Sequence, residues 1–339
     1  YRDSARGYEV LLDDVKGITP LMQGYVQGSY RPNSKLTLNL GLAGSFLALN
    51  NSYSIEPRFS AKYAFSDKTS ITAAYGLHAK MLPIGVYLLE INGTQPNKDL
   101  PMAKSHHAVL GFEQIVGKSL RLGAEVYYQH LFDLPVSTDA TSNYWFFNER
   151  FGYGDRAMNS KGFGRNFGLD LTVEKAFNKG WFLLCAGSVY SSNYKTLTNE
   201  WRKTRMDGLY SLSLMGAKEF TFKKGGILQL GLKFFLNGSN RYTPIDEAAS
   251  ELAGGLVLDE NRAFENSYAA DAYGVYYRID TRIAYIKSHK KWSYTIALDL
   301  QNVTDAKNIK SYLYDIKQNE LVPRYHSGIL PAVSFRVDF

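Results

Sequence analysis

The sequence predicts an all-β fold, an antiparallel transmembrane β-barrel. Three observations predict it: long segments of period-two alternation, aromatics gathered near segment ends, and connections that alternate between very short and long. Successive side chains of a strand point to opposite faces, so alternation produces one apolar and one polar face. In 291–303 Trp292, Tyr294, Ile296, Leu298 and Leu300 alternate with Ser293, Thr295, Ala297, Asp299 and Gln301. In 275–285 Val275, Tyr277, Ile279, Thr281, Ile283 and Tyr285 oppose Arg278, Asp280 and Arg282. Leu120, Leu122, Ala124, Val126 and Tyr128 likewise oppose Arg121, Glu125, Tyr127 and Gln129.

A soluble β-sandwich also alternates. These segments run to about 10–15 residues, whereas soluble strands average about 5–6 and a tilted membrane-crossing strand needs roughly 9–11. Aromatic pairs such as Tyr63 and Phe65, Tyr190 and Tyr194, and Trp292 and Tyr294 fit the girdles at the two membrane interfaces.

In chain order, about 13 strands are expected: 21–31, 35–49, 53–65, 68–80, 104–116, 119–132, 163–177, 181–194, 208–222, 226–238, 274–288, 291–303 and 327–339. The connections Pro32–Ser34, Ser66–Asp67, Gly117–Lys118, Asn178–Gly180, Lys223–Gly225 and His289–Lys290 are tight turns. Those at 81–103, 133–162, 195–207, 239–273 and 304–326 are long, and only 50–52 breaks the pattern. Outer-membrane barrels have periplasmic turns and extracellular loops, so counting back from Phe339 gives each connection a side. Bacterial single-chain barrels use even strand numbers. Thirteen therefore implies either a further strand, around Tyr8–Leu12, or a larger barrel of which this chain is part.

Composition narrows the function. No stretch of about 18 apolar residues supplies a transmembrane helix, and the sequence itself holds no N-terminal basic-then-apolar signal segment, so it is expected to be a mature chain or a fragment. The net charge of +7 comes from scattered Lys and Arg, without the basic, aromatic-interleaved runs of a nucleic-acid site. The single cysteine, Cys185, excludes an internal disulfide and any CxxC metal or redox motif, and reads as a small buried or lipid-facing hydrophobe. His106 and His107 are adjacent on a strand and face opposite ways, so no metal site is expected from them, nor any cofactor. No GxSxG elbow supports an outer-membrane hydrolase, and the Gly162-x-Gly164 pair precedes a strand rather than the helix of a phosphate loop. Glycines there suit a bulge or close approach to a plug. The chain is not expected to be an enzyme.

Glu56, Arg58 and Lys62, with Arg278, Asp280 and Arg282, are expected to face the lumen and pair there with each other and with a plug. Ligand contacts are expected from the loops, foremost Asn143-Tyr-Trp-Phe-Phe-Asn-Glu-Arg150. There Tyr144, Trp145, Phe146 and Arg150 would be exposed to stack on a sugar, haem-like or peptide ligand, the alternative being a loop that packs on itself.

Several segments resemble TonB-dependent outer-membrane receptors of the Bacteroidetes type, which carry a carboxypeptidase-like regulatory domain upstream. They include Gly162-Phe-Gly-Arg-Asn-Phe-Gly-Leu-Asp-Leu-Thr-Val-Glu-Lys175, Ile55-Glu-Pro-Arg58, Ala74-Tyr-Gly-Leu-His78 and Lys104-Ser-His-His107. Arg241-Tyr-Thr-Pro-Ile-Asp246, Tyr277-Arg-Ile-Asp280, Leu300-Gln-Asn-Val-Thr-Asp305 and Val333-Ser-Phe-Arg-Val-Asp-Phe339 extend the likeness over nearly the whole chain. The resemblance implies a 22-stranded barrel of the Gram-negative cell outer membrane that imports a scarce nutrient with energy from TonB. Residues 1–339 would be its C-terminal barrel portion, with plug, TonB box and signal peptide outside the sequence and the TonB complex reached only through that plug. Phe335, Val337 and Phe339 resemble the signal read by the barrel-assembly machinery, and membrane lipid is the remaining partner. The alternatives are a self-contained passive channel of 12–14 strands, porin or fatty-acid type, and the hydrolase.

Overall fold

A computed structural model describes residues 2–3, 8–11, 18–149, 154–259, 273–315, 317–318 and 320–339. Thirteen strands follow one another in one antiparallel path. They are β1 (Leu21–Tyr30), β2 (Leu36–Leu47), β3 (Ser52–Ser66), β4 (Thr69–Lys80), β5 (Ala103–Val116), β6 (Leu120–Ser137) and β7 (Met158–Asn178). Then come β8 (Trp181–Lys195), β9 (Tyr210–Thr221), β10 (Gly226–Asn237), β11 (Tyr276–Ser288), β12 (Ser293–Gln301) and β13 (Leu330–Asp338). Every expected strand is present. The largest departures are at β6 and β7, which run about five residues further at the loop end. Bulges around Gly162 interrupt their shared ladder there.

The register separates the two faces. Phe59 lies opposite Leu40 and Tyr75 on the outer face, and Arg58 lies opposite Gly41 and Gly76 on the inner one. Outer side chains are large, apolar and solvent-accessible, as in Ile55 at 62 %, Leu110 at 58 % and Val189 at 65 %. Without a membrane such a continuous apolar face would be an aggregation surface. Cys185, opposite Val173 and Leu214, belongs to this outer face. At the turn rim the rings make a girdle: Phe222 meets Tyr285, Tyr285 meets Tyr294, and Tyr294 meets Trp292 at 5.7 Å. The hairpin between β7 and β8 turns through Lys179 at φ 55° and Gly180 at φ 74°. Two successive positive φ values fit the two-residue turn that matches strand twist.

Two expectations are corrected. Tyr190 and Tyr194 are not girdle residues: their partners Gly168 and Gly164 face inward, and Tyr194 is fully buried in the barrel mouth. A strand does form at Tyr8–Leu11, but it pairs with Arg2–Asp3 and Glu90–Ile91 in a separate small sheet and adds nothing to the barrel wall. Leu12 lies outside the described residues.

The long connections hold structure of their own. Helices form at Ile84–Tyr87 and Glu247–Ala253, a hairpin at Ile309–Asp315 and Glu320–Tyr325, and a short strand at Trp201–Lys203 pairs with the loop end of β8. The wall remains open. Among the described residues β1 pairs only with β2 and β13 only with β12, and every residue of β1 is exposed.

The two-faced wall makes a direct prediction. Leu171→Arg, on the outer face near mid-strand of β7, should cost the intact protein about 2–4 kcal/mol when folded into lipid vesicles. Thr172→Arg, one residue along and facing the polar lumen, should cost less than about 1 kcal/mol by the same denaturant titration.

Candidate functional site

On the inner face five of the six expected charges are ion-paired, and among the described residues Lys62 is not. Arg58 Nη2 reaches Glu56 Oε2 at 3.1 Å, and the other Glu56 oxygen accepts from Ser45 Oγ at 3.1 Å. Arg278 meets Asp280 at 2.8 Å and Arg282 meets Asp299 at 2.5 Å. Lys62 lines a neighbouring polar recess where Arg121 bridges Glu113 and Glu174, drawing together β5, β6 and β7. Pairing offsets the cost of holding charges away from bulk water.

Asp280 also has an architectural role. Its Oδ1 accepts from the backbone of Asn302 at 2.9 Å, and Asn302, at φ 51°, sends its amide to the carbonyls of Ala306 and Ser327. The side-chain oxygen of Asn302 accepts from Ala306 N at 3.0 Å. One buried asparagine thereby ties the lumen wall to both ends of the last loop, which is why the segment around residues 300–305 has the residues it has.

The loop aromatics are placed differently from the expectation. Tyr144, Trp145 and Phe146 are 7 %, 7 % and 3 % exposed, so they are not open stacking surfaces. Trp145 stacks on Tyr194 at 4.9 Å with the rings 6° apart, and Tyr194 Oη donates to Asn143 O. Around them close Leu82, Val86, Tyr87, Met102, Leu134, Val136 and Met158. Gly162 is required beneath this cluster, because a Cβ there would sit 2.5 Å from Val136 and 2.8 Å from Leu134 O. Burial, then the Glu149 carboxylate, pushes the Tyr144 phenol above its ordinary range, so it stays neutral. The physical reason for the correction is area: each aromatic side chain buries about 150–250 Å² when it packs, and the loops at 81–102 and 138–157 supply the walls. Phe147 is the exposed aromatic among the described residues of the run, at 39 %, while Arg150 lies outside the described residues.

Beside this plugged half of the mouth is an open cavity of about 950 Å³. Arg205, Arg241, Lys310, Arg324 and His326 contribute its basic groups, and no Asp or Glu lines it among the described residues. Tyr190, Tyr273, Tyr276 and Tyr312 supply phenol rings, with Tyr273 and Tyr312 stacked at 5.9 Å. Arg241 is anchored: 1 % exposed, it lies 3.7 Å from the fully buried Asp207, which Lys203 also reaches at 3.2 Å. Asp207 in turn accepts from Ser192 N at 2.6 Å, fixing the loop onto β8. Arg324 has no ion-pair partner among the described residues, so its charge is available to the cavity. Desolvation, then the nearby charges of Lys310 and Arg278, hold the His326 imidazole below its ordinary pKa, so the ring is neutral at pH 7 and gains charge only in acid.

The sequence expectation missed all of these lining residues. Two signals were present: the segment starting at Arg241, whose Asp246 caps the helix Glu247–Ala253 by accepting from Ala249 N, and the unusual basic residues of the last loop. Neither reveals which loops meet.

Residues 8–303 match the family described as TonB dependent receptor-like, beta-barrel. The chain belongs to the TonB-dependent receptor family. Receptors of this family are outer-membrane proteins of Gram-negative bacteria, which makes the turn rim periplasmic and the loop mouth extracellular. No curated protein sequence matches the chain. Among solved structures, the ferric yersiniabactin uptake receptor FyuA of Yersinia pestis is similar at 14 % identity and TM-score 0.64, over 95 % of this chain and 46 % of that one. The ferripyoverdine receptor of Pseudomonas aeruginosa is similar at 14 % identity and TM-score 0.65, over 94 % and 38 %. The Escherichia coli outer-membrane transporter YddB follows at 16 % identity and TM-score 0.62, over 96 % and 46 %. This TonB-dependent receptor barrel thus spans less than half the length of those chains, and the likeness is one of fold.

The packed half of the mouth is testable. Trp145→Ala in the intact receptor should raise the rate of proteolytic cleavage within 138–157 at least about tenfold, as expected when truncating a buried aromatic costs about 3–5 kcal/mol. Phe147→Ala should leave that rate within about twofold.

Proposed function

We propose that the chain is the C-terminal wall of a TonB-dependent transporter that takes up an anionic, oxygen-rich nutrient through the cavity at its extracellular mouth. The observation that carries the reading is that cavity: three arginines, a lysine, a neutral histidine and four tyrosines, without an acidic lining residue among the described residues. Arginine forks and phenols recognise carboxylate, phenolate and hydroxamate oxygens by charge-assisted hydrogen bonds. FyuA and the ferripyoverdine receptor are named for ferric chelates, and BauA of Acinetobacter baumannii for ferric preacinetobactin, so a ferric chelate is the first ligand class to try. A carbohydrate or peptide bearing acidic groups is the second.

The unpaired edges of β1 and β13 support completion by further strands into a barrel of about 22, because backbone groups facing lipid must be paired. A self-contained passive channel of 12–14 strands would need those two strands bonded to each other, and the lack of that pairing among the described residues favours the larger barrel. A polar lumen of that width needs a plug, supplied in this reading by a preceding domain that also carries the TonB contact. The short motifs quoted above resemble the Bacteroidetes-type group of such receptors. The outer-facing Phe335, Val337 and Phe339 then serve as the recognition signal for barrel assembly.

The test is uptake. A strain lacking the whole gene is complemented with the intact receptor and supplied with radiolabelled iron as ferric catecholate, ferric hydroxamate or ferric citrate. Uptake of at least one chelate should depend on the receptor and on TonB. Arg324→Gln should weaken binding of that chelate about tenfold, the order expected for a charged hydrogen bond, with wild-type affinity falling as salt is raised. Receptor-dependent uptake that persists without TonB would point to the passive channel instead.

A further inference from the structure

The outer wall of the barrel carries a second cationic feature, remote in role from the mouth cavity. Outer residues of β7 run Phe163, Arg165, Phe167, Leu169, Leu171, Val173 and Lys175, so two cations bracket an apolar run. About ten residues separate those cations. At about 3.3 Å per residue and a tilt near 45°, that is a height of about 23 Å. The apolar band of an outer-membrane barrel is about 25 Å tall. Arg165 therefore stands at the outer-leaflet interface and Lys175 at the inner one.

The two interfaces are built differently. At the inner one Lys175 lies over Trp181 and gives its ammonium protons to the carbonyls of Ala176, Asn178 and Trp181, at 3.0–3.3 Å. Lys218 likewise donates to Lys179 O at 3.0 Å. Both are satisfied by the protein itself. At the outer interface Arg165 lies 4.2 Å over Trp201, and Lys195 lies 5.4 Å from the same ring and 5.5 Å from Phe163. Neither has a carboxylate or carbonyl partner among the described residues, and Arg165 Nε is buried without an acceptor. The neighbouring cations differ: Lys104 is taken by Asp133 at 2.9 Å and Lys203 by Asp207 at 3.2 Å. Lateral to Phe163 the rings continue along the rim through His130, 6.0 Å away, to His106 and Tyr75, which share a hydrogen bond at 2.7 Å.

Two uncompensated cations held against a tryptophan at a lipid interface need an anion, and the surrounding rings favour one attached to an apolar anchor. We propose that Arg165, Lys195 and Trp201 form a binding site for the phosphate of a phosphorylated glycolipid headgroup in the outer leaflet. The guanidinium offers a two-pronged donor to phosphate oxygens, Lys195 adds a point charge, and Phe163, Phe167 and Trp201 contact the acyl chains and sugar. The site belongs to the barrel's fit in its membrane and is independent of the nutrient.

The test uses the intact receptor, stripped of lipid in detergent and mixed with micelles carrying bis-phosphorylated lipid A or its dephosphorylated form, with bound lipid counted by native mass spectrometry. Wild-type protein should retain the phosphorylated lipid, and the double variant Arg165→Gln, Lys195→Gln should bind it about tenfold more weakly. Arg165→Lys alone, which keeps the charge and loses the two-pronged donor, should weaken binding less than the double variant does, and Lys175→Gln at the inner interface should match wild type. Heat-modifiable migration on gels verifies that each variant is a folded barrel. Equal retention by the double variant, or equal loss in Lys175→Gln, would overturn the proposal. So would displacement of the lipid by millimolar inorganic phosphate, which would make this a site for the free ion.

Discussion

Backbone hydrogen bonding is the constraint on which the rest of this structure depends. A strand that faces hydrocarbon has no water for its N–H and C=O groups, so each must be met by a neighbouring strand. Thirteen strands satisfy one another in sequence from β1 to β13, and that pairing alone sets the alternation of the faces. The lipid face can then be apolar throughout and the lumen face polar. At the two edges the same constraint is unmet, and the proposed larger barrel follows from those edges.

The lumen face pairs its charges both along single strands and across neighbouring ones. Glu56 with Arg58, Arg278 with Asp280, and Arg121 between Glu113 and Glu174 are satisfied within the wall. Arg324 at the mouth and Arg165 and Lys195 on the outside stand apart, because the described residues give them no counter-charge. Loop architecture divides the mouth into a packed aromatic half around Trp145 and an open basic half around Arg324. Specificity in such a molecule resides in what the wall leaves unpaired.

How much of this was legible in the sequence depends on distance along the chain. Strands and turns were legible to within a few residues, since period-two patterning and tight turns are local. The roles of Glu56 and Arg278 as inward-facing charges follow from the same local rule. Loop contents were not legible. The run from Asn143 to Arg150 looks like an exposed aromatic patch, and only the meeting of β8, the 81–102 loop and the 138–157 loop turns its rings inward. Tyr190 and Tyr194 fail for a related reason, because at a strand end an aromatic suits a membrane girdle and a mouth plug equally well. The mouth cavity draws on seven separated segments, and no spacing rule joins Arg205 to Arg324.

The central claim is that β1 and β13 are separated by further strands in the intact receptor. Spin labels at Ser29→Cys and Ser334→Cys, both on the lumen face, with Cys185→Ser and any cysteine outside residues 1–339 also replaced, measure that separation by double electron–electron resonance in lipid vesicles. With about nine intervening strands at about 4.8 Å spacing around a tilted barrel, the labels should lie about 40 Å apart. A distance of about 10 Å would mean that the two edges pair directly, and would contradict the account.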